Sequence, residues 1–375
     1  MRQTRQKRID RSEELEKLSH EAGEVYSQTL VTFRRVLRKK NIWLSQYGMQ
    51  RLIRNENLHS QTVQGIVETF YANVKSWRAL RKTNPKARLP KKRRWYFVLP
   101  YKESAIKVKN GKMILSNGKN NAPIVIDWEY EKPKYVEISY NEGYIVNAVY
   151  NIEAPEVIEK GDTAGIDLGE IHIAVVKTES STIIANGREL RSKRQYMNKA
   201  TAELQSKIDR CKRGSKRRKK LTKAKKRMRN RLNNQMKDIL HKQTTAIVNA
   251  MKEESVKTVA IGDVRNIRQN VDIGRHGNQK VHQMTTGKAR QMLEYKCEKH
   301  GMEIILLNES YSSQTCPKCL KRHKPTNRNY KCSKCGFEYH RDGVGAINIR
   351  QKQMYREYVP VVGDMTPPVG IRYKA

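Results

Sequence analysis

The chain has 375 residues, with 77 Lys and Arg against 37 Asp and Glu, a formal charge of +40. That excess is far beyond what solubility requires and points to a polyanionic partner, nucleic acid first, while 37% apolar content is enough for packed cores in two or three domains. Met1 to His20 shows no signal-peptide pattern and no apolar run is long enough to span a bilayer, so a cytosolic or nucleoid location is expected rather than a secreted or membrane one.

From Glu13 to about Arg81 apolar residues such as Leu15, Leu18, Ala22, Val25 and Tyr26 recur at three- and four-residue spacing among many bases, which predicts a basic helical module. Pro85 and Pro90, with Lys91 to Arg94, end that pattern. Short runs follow, and Ala105–Val108, Pro123–Asp127 and Lys134–Ser139 read as strands of a small β domain, with Glu153–Gly161 as the linker out of it. Beyond Gly161 the order becomes strand, hairpin, strand, long helices, strand, helix, strand. Thr163–Asp167, His172–Lys177, Ser181–Asn186, Val256–Ile261 and Glu303–Leu307 are its five strands, an order that suits a mixed αβ sheet of RNase H type. The tail holds Pro360, Pro367 and Pro368 and reads as irregular. No internal repeat at a fixed period is present.

Three acids stand at positions where chemistry is possible. Asp167 ends a strand before the turn at Gly169, Glu309 follows the apolar strand Ile304–Leu307, and Asp342 opens a helix rich in small residues. Each has an ordinary structural use, as a turn residue or a helix-dipole partner. Converging at one sheet edge, the three can instead hold two Mg²⁺ ions that activate a water and stabilise the leaving oxygen in phosphodiester hydrolysis.

Cys316, Cys319, Cys332 and Cys335 form two CxxC pairs around a twelve-residue polar spacer that includes Tyr330. Four thiolates at this spacing close a tetrahedral structural Zn²⁺ site and leave no open position for catalysis. His323 and His340 lie nearby, but four sulfurs already satisfy the metal. Cys211 and Cys297 read as ordinary thiols.

Lys212 to Arg231 contains thirteen Lys or Arg and no acid in a helix-compatible stretch. Such self-repulsion is relieved on a phosphate backbone, which nominates Lys212, Arg213, Lys216, Arg217, Arg218, Lys219, Lys220 and Lys223 as nucleic-acid contacts. The basic knuckle can touch phosphate as well. Trp43, Tyr47, Trp77, Trp95 and Tyr96 are available either for base stacking or for core packing.

Gly165-Ile166-Asp167-Leu168-Gly169, the run Tyr311 to Cys319 (YSSQTCPKC), and Cys335-Gly336 leading into His340-Arg341-Asp342 and Ala346-Ile347-Asn348-Ile349 resemble, in content and order, the TnpB proteins of bacterial insertion sequences. The resemblance covers roughly Gly161 to Arg350; the first 155 residues match only in their helical-then-β organisation. It implies an RNA-guided DNA nuclease with a RuvC-type, RNase H-like active site, whose first and last aspartates correspond to Asp167 and Asp342. The family's usual middle glutamate falls on Gly262, which is followed by Asp263. Neighbouring strand residues face opposite ways, so Asp263 should point away from the site and Glu309 is the better substitute. A displaced glutamate of this kind is similar to that of a TnpB subset and of the eukaryotic Fanzor proteins.

The expected architecture is therefore a multi-domain α/β chain. A basic helical recognition module (1–90) and a small, β-barrel-like wedge domain (91–155) precede a RuvC domain (156–310, with a basic helical arm at 199–237). The zinc knuckle (311–339) interrupts that domain, which resumes at 340–358 before the tail at 359–375. The resemblance implies Mg²⁺ or Mn²⁺ at the carboxylates, structural Zn²⁺, and guide RNA and target DNA as partners, with neither a membrane nor a protein oligomer indicated. Two other readings stay open: an RNA-guided repressor that binds without cutting, suggested by Gly262, and a zinc-ribbon RNA-binding protein without guide or catalysis.

Overall fold

The Ser12 hydroxyl accepts from the Leu15 amide, and Glu13, Glu14 and Glu16 occupy the first turn, so the first helix, α1 (Glu13–Lys40), starts capped and with its dipole compensated. Its apolar stripe from Leu15 to Phe33 is buried. The computed structural model describes residues 1–93, 96–119, 121–264, 271–361 and 366–371. Trp95 and Arg94, and parts of the tail, lie outside the described residues. The chain divides into two units, residues 1–153 and 154–375.

In the first unit, α1 is joined by α2 (Gln46–Leu52) and α3 (Ser60–Thr83), so the helical stretch is interrupted twice. Among the described residues seven strands accompany them: β1 (Arg2–Ile9), β2 (Leu99–Lys102), β3 (Ile106–Lys109), β4 (Lys112–Leu115), β5 (Ile124–Asp127), β6 (Tyr135–Tyr140) and β7 (Tyr144–Asn151). They form two open antiparallel sheets, in the orders β1-β7-β6-β2 and β3-β4-β5, where the sequence suggests a barrel-like domain. Helices and sheets share one core, which includes Tyr26, Phe33, Phe70, Leu99, Ile106 and Val146. β1 pairs with β7 over its whole length although its sequence, RQTRQKRI, has no alternation of apolar residues. Backbone pairing at a sheet edge, not side-chain burial, makes it a strand.

The second unit runs β8 (Asp162–Asp167), β9 (His172–Lys177), β10 (Thr182–Asn186), α4 (Arg188–Asp209), α5 (Lys216–Glu253), β11 (Val256–Gly262), α6 (Gly274–Gln283), α7 (Thr286–Lys299), β12 (Glu303–Leu307), β13 (Asn329–Lys331), β14 (Glu338–His340), α8 (Arg341–Tyr355) and β15 (Val369–Ile371). The five strands expected from the sequence all form, within a residue or so of their expected ends. They make a mixed sheet in the order β12-β11-β8-β9-β10-β15, with β9 antiparallel to both neighbours and β11 and β12 parallel to β8. The tail corrects the expectation of irregular structure, because β15 pairs in parallel with β10 and satisfies backbone groups at an otherwise open edge. The core beneath the sheet joins Ala164, Ile166, Val176 and Val259 to the apolar second half of α5, represented by Ile239 and Ile247.

One feature of this packing positions the carboxylates. A Cβ at Gly165 would lie 2.3 Å from the Ala346 carbonyl oxygen and 2.5 Å from the Arg350 amide nitrogen. With no side chain there, α8 lies against the backbone of β8. Arg350 then pins the contact, donating from Nε to the Thr163 carbonyl and from its terminal nitrogen to Asp162, each at 2.6 Å. Gly165→Ala must therefore push α8 off the strand. Overpacking of this kind costs about 1–3 kcal/mol or more, and we expect a loss of at least that size in chemical denaturation. Wild-type stability in Gly165→Ala would show that α8 does not need this approach.

Candidate active site and zinc knuckle

Asp167 is the last residue of β8, and the adjacent parallel strands carry the rest of the site to the same end of the sheet. Ile261 of β11 is in register with Ile166, and Gly262 with Leu307 of β12, so Glu309 leaves its strand two residues beyond Gly262's partner. Asp342 comes down from the first turn of α8. All three acids line one cavity of about 230 Å³, together with His172, Ser312 and Arg341.

The absence of a glutamate at 262 has a direct geometric counterpart. A Cβ at Gly262 would fall 2.5 Å from Glu309 Oε2 and 3.2 Å from Glu309 Cβ. The Glu309 side chain thus occupies the space into which a side chain at 262 would project. Asp263 comes within 3.9 Å of Arg290 on α7 and does not line the cavity.

The three acids experience different fields. Burial, followed by the charges of Asp342 and Glu309, pushes Asp167 up to about 8, against the opposing effect of Arg341. Burial and then the charge of Asp263 raise Glu309. Burial also works on Asp342, but it is outweighed there. The hydrogen bond from His172 Nδ1 to Asp342 Oδ2 (2.7 Å), the Arg328 guanidinium (2.8 Å from the same oxygen) and His340 hold this carboxyl below its usual range. A concentration of negative charge that drives one member to hold its proton is what a divalent cation relieves.

Neither His172 nor Arg328 stands out as a site residue in the sequence. His172 had one visible signal, a polar residue at the head of the apolar run HIAVVK. Arg328 had none, since the knuckle carries Lys318, Lys321, Arg322, Lys324, Lys331 and Lys334 as well.

The four knuckle cysteines meet. All four sulfurs lie within 4.8 Å of one another, with Cys316 to Cys335 at 3.6 Å and Cys319 to Cys332 at 3.5 Å. These spacings are far too long for disulfides and close to the roughly 3.8 Å edge of a tetrahedron with Zn–S bonds of about 2.3 Å. The amides of Lys318 and Cys319 donate to Cys316, and those of Lys334 and Cys335 donate to Cys332. At Cys332 these bonds outweigh burial and bring the thiol down to about 6, whereas burial pushes the Cys316 thiol up to about 12; the four converging sulfurs fit a structural zinc ion. Tyr330 and Val344 pack against the cluster, and Val344 belongs to α8. His323 faces Tyr330, whereas His340 turns from the sulfurs toward His172 (ring centroids 4.9 Å apart). Cys297 is buried in the core with its thiol pushed up to about 12, and Cys211 donates to the Lys207 carbonyl, both as ordinary thiols.

α5 buries no residue before Leu232, so its basic first half projects beyond the core alongside α4. Lys212, Arg213, Lys216, Arg217, Lys219, Lys220 and Lys223 are exposed there. Arg218 has a structural role as well. It is half-buried and donates to the Ile208 and Cys211 carbonyls (2.6 and 3.2 Å), capping the end of α4. Among the aromatics, Tyr96 stacks on Tyr140 and Trp77 donates to the Ala87 carbonyl, both as packing residues. Trp43 and Tyr47 are exposed, and Trp43 lies under the Arg78 guanidinium.

The Asp167 carboxyl, raised from 3.8 to about 8, keeps its proton at pH 7 when no metal is bound. Between those values the folded protein holds a proton that the unfolded chain has lost, so metal-free stability falls as pH rises through this window. A divalent ion binding to this carboxyl must expel the proton. Calorimetric Mn²⁺ titration at pH 7, in buffers of different ionisation enthalpy, is expected to show on the order of one proton released per chain, and Asp167→Asn should abolish most of it. No release from the wild type would contradict this account.

Comparison with known proteins gives the site its setting. Residues 137–268 match a family described as "Probable transposase", and residues 287–349 match the "Cas12f1-like, TNB domain". A "Putative RNA-guided DNA endonuclease" of Streptomyces pristinaespiralis is 28% identical over 262 residues, 66% of this chain and 61% of that protein. "TnpB-like protein MJ0751" of Methanocaldococcus jannaschii is 27% identical over 119 residues, 31% of this chain and 42% of that protein. The chain thus spans less than two thirds of either relative. In fold it is similar to the protein of a Cas12f1–sgRNA–target DNA complex, with a TM-score of 0.61 at 16% identity over 91% of this chain and 82% of that one. By these matches the chain is similar, in the regions matched, to proteins named TnpB-like and to a putative RNA-guided DNA endonuclease.

Proposed function

We propose that the protein is an RNA-guided DNA endonuclease of a mobile element, which hydrolyses phosphodiester bonds at a RuvC-type, RNase H-like centre made by Asp167, Glu309 and Asp342. The observation that carries this reading is the Glu309 carboxylate lying over Gly262, in the cavity that also holds the two aspartates. It answers the feature that favours a non-cleaving repressor. A chain that had lost cleavage would have no need to refill that space with an acid.

Mg²⁺ or Mn²⁺ held by the three carboxylates would supply Lewis acidity and an activated water. The protein's own part is orientation. Asp167 feels the charge of both other acids and stands between them electrostatically, Glu309 reaches in from the end of β12, and Asp342 is steadied by His172 and Arg328. The zinc knuckle is structural. The basic arm at 199–237 and the knuckle lysines would follow the guide–target duplex, and the regions 1–90 and 91–155 would serve as recognition and wedge modules. Guide pairing then reads the sequence, and the protein reads backbone and shape. The work would take place in the cytosol or nucleoid.

The test is programmed plasmid cleavage by protein expressed with its native flanking DNA. Asp167→Ala and Asp342→Ala are expected to abolish cutting while guided binding survives. Glu309→Ala should lower the rate about 10³-fold, several kcal/mol of transition-state stabilisation. Gly262→Glu alone should also fail, because two carboxylates then compete for one space, whereas Gly262→Glu combined with Glu309→Ala should recover part of the activity. Undiminished cutting by Glu309→Ala, or guided binding without cutting by the wild type, would overturn the proposal.

A further inference from the structure

The Asp342 side of the cavity differs chemically from the Asp167 and Glu309 side. His172, His340 and Asp342 each present a ligand atom, and these atoms lie within 4.8 Å of one another. The His172 side chain is 8% exposed, and its Nδ1 is already 2.7 Å from Asp342 Oδ2. His340 packs edge-on to His172, and its Nδ1 accepts from the Gly343 amide at 3.4 Å, which leaves Nε2 as its metal-binding atom. An independent observation shows that a cation is accommodated here. The Arg328 guanidinium rests on the same Asp342 oxygen at 2.8 Å, from a side chain 42% exposed that has room to withdraw.

We infer that His172, His340 and Asp342 form a mixed nitrogen–oxygen metal site that takes a borderline transition ion such as Mn²⁺, Co²⁺ or Zn²⁺ in preference to Mg²⁺. Ligand bonds of about 2.0–2.2 Å place ligand atoms roughly 3–4.2 Å apart, so His172 and Asp342, now at 2.7 Å, part slightly while no pair among the three starts more than 4.8 Å apart. Neutral imidazole binds first-row transition ions, while Mg²⁺ favours all-oxygen sites. The ion takes the place that Arg328 occupies, and the hydrogen bond from His172 to Asp342 gives way to a shared ligand set. The site is distinct from the four-sulfur knuckle, whose thiolates select zinc. Its functional consequence rests on the nuclease reading: an ion at Asp342 would belong to the cleavage centre, which should then run faster with Mn²⁺ or Co²⁺ than with Mg²⁺.

The experiment titrates Co²⁺ into protein whose knuckle is filled with zinc and follows the visible d–d absorption of nitrogen-ligated Co²⁺. The wild type is expected to bind one Co²⁺ per chain with this spectrum. His172→Ala and His340→Asn should each weaken binding at least about tenfold while zinc content stays at one per chain, Asn being chosen because it preserves the cap of α8. Arg328→Ala keeps every ligand and removes the competing cation, so it should bind Co²⁺ severalfold more tightly. Absence of the spectrum from the wild type, unchanged affinity in both histidine variants, or weaker binding in Arg328→Ala would each overturn the inference. Cleavage assays on the same preparations separate the two readings. Guided Mg²⁺ cleavage without the nitrogen-ligated spectrum removes this site and leaves the nuclease standing. The histidine-dependent spectrum without guided cleavage by any divalent ion removes the nuclease and leaves the site.

Discussion

The approach of α8 to β8 across Gly165 is the contact on which the rest of the second unit depends. A helix normally packs on a sheet through its side chains, and here the missing Cβ lets backbone meet backbone. Gly345, one turn from Asp342, continues the same seam, since a Cβ there would sit 2.5 Å from Asp167 Oδ2. Small residues on both elements are thus what allow two acids, 175 positions apart in sequence (342 minus 167), to share one cavity. The unfavourable field that results is offset on one side by His172 and Arg328, and on the other by Asp167 retaining its proton.

The knuckle and the carboxylate cavity are mechanically continuous. β13 pairs with β14, β14 ends at His340, and α8 begins at the next residue. The Arg341 amide donates to the Arg328 carbonyl, and the Arg328 side chain reaches Asp342. Val344 of α8 lies in the same small core as Cys316, Tyr330 and Cys332. A metal that ordered the four sulfurs would therefore also order the start of the helix bearing Asp342, which gives a physical reason for the four-cysteine cluster to stand directly before this helix.

How far the sequence could be read depended on which force made each element. β8 to β11 are held by burial of apolar side chains, and Ile304 and Leu306 of β12 are partly buried on the same core, so their apolar runs between punctuating glycines are legible, as are the paired cysteines. β1 and β15 are held by backbone pairing at sheet edges, which leaves no periodic mark in the sequence. Asp167, Glu309 and Asp342 were nominated from strand ends and a helix start. Their convergence, however, depends on Gly165 and Gly345, whose role appears only when the helix is placed on the sheet. Arg218 carries a second role that charge does not show. Charge alone put it with its neighbours, and only the turn between α4 and α5 reveals that it caps carbonyls.

The most direct measurement of the central claim is the position of Mn²⁺, by anomalous scattering, in crystals of the protein grown with Mn²⁺. The account predicts density between Asp167, Glu309 and Asp342, with Glu309 Oε2 as a ligand beside Gly262. No manganese between these three acids, or manganese at Asp263 instead, would contradict it.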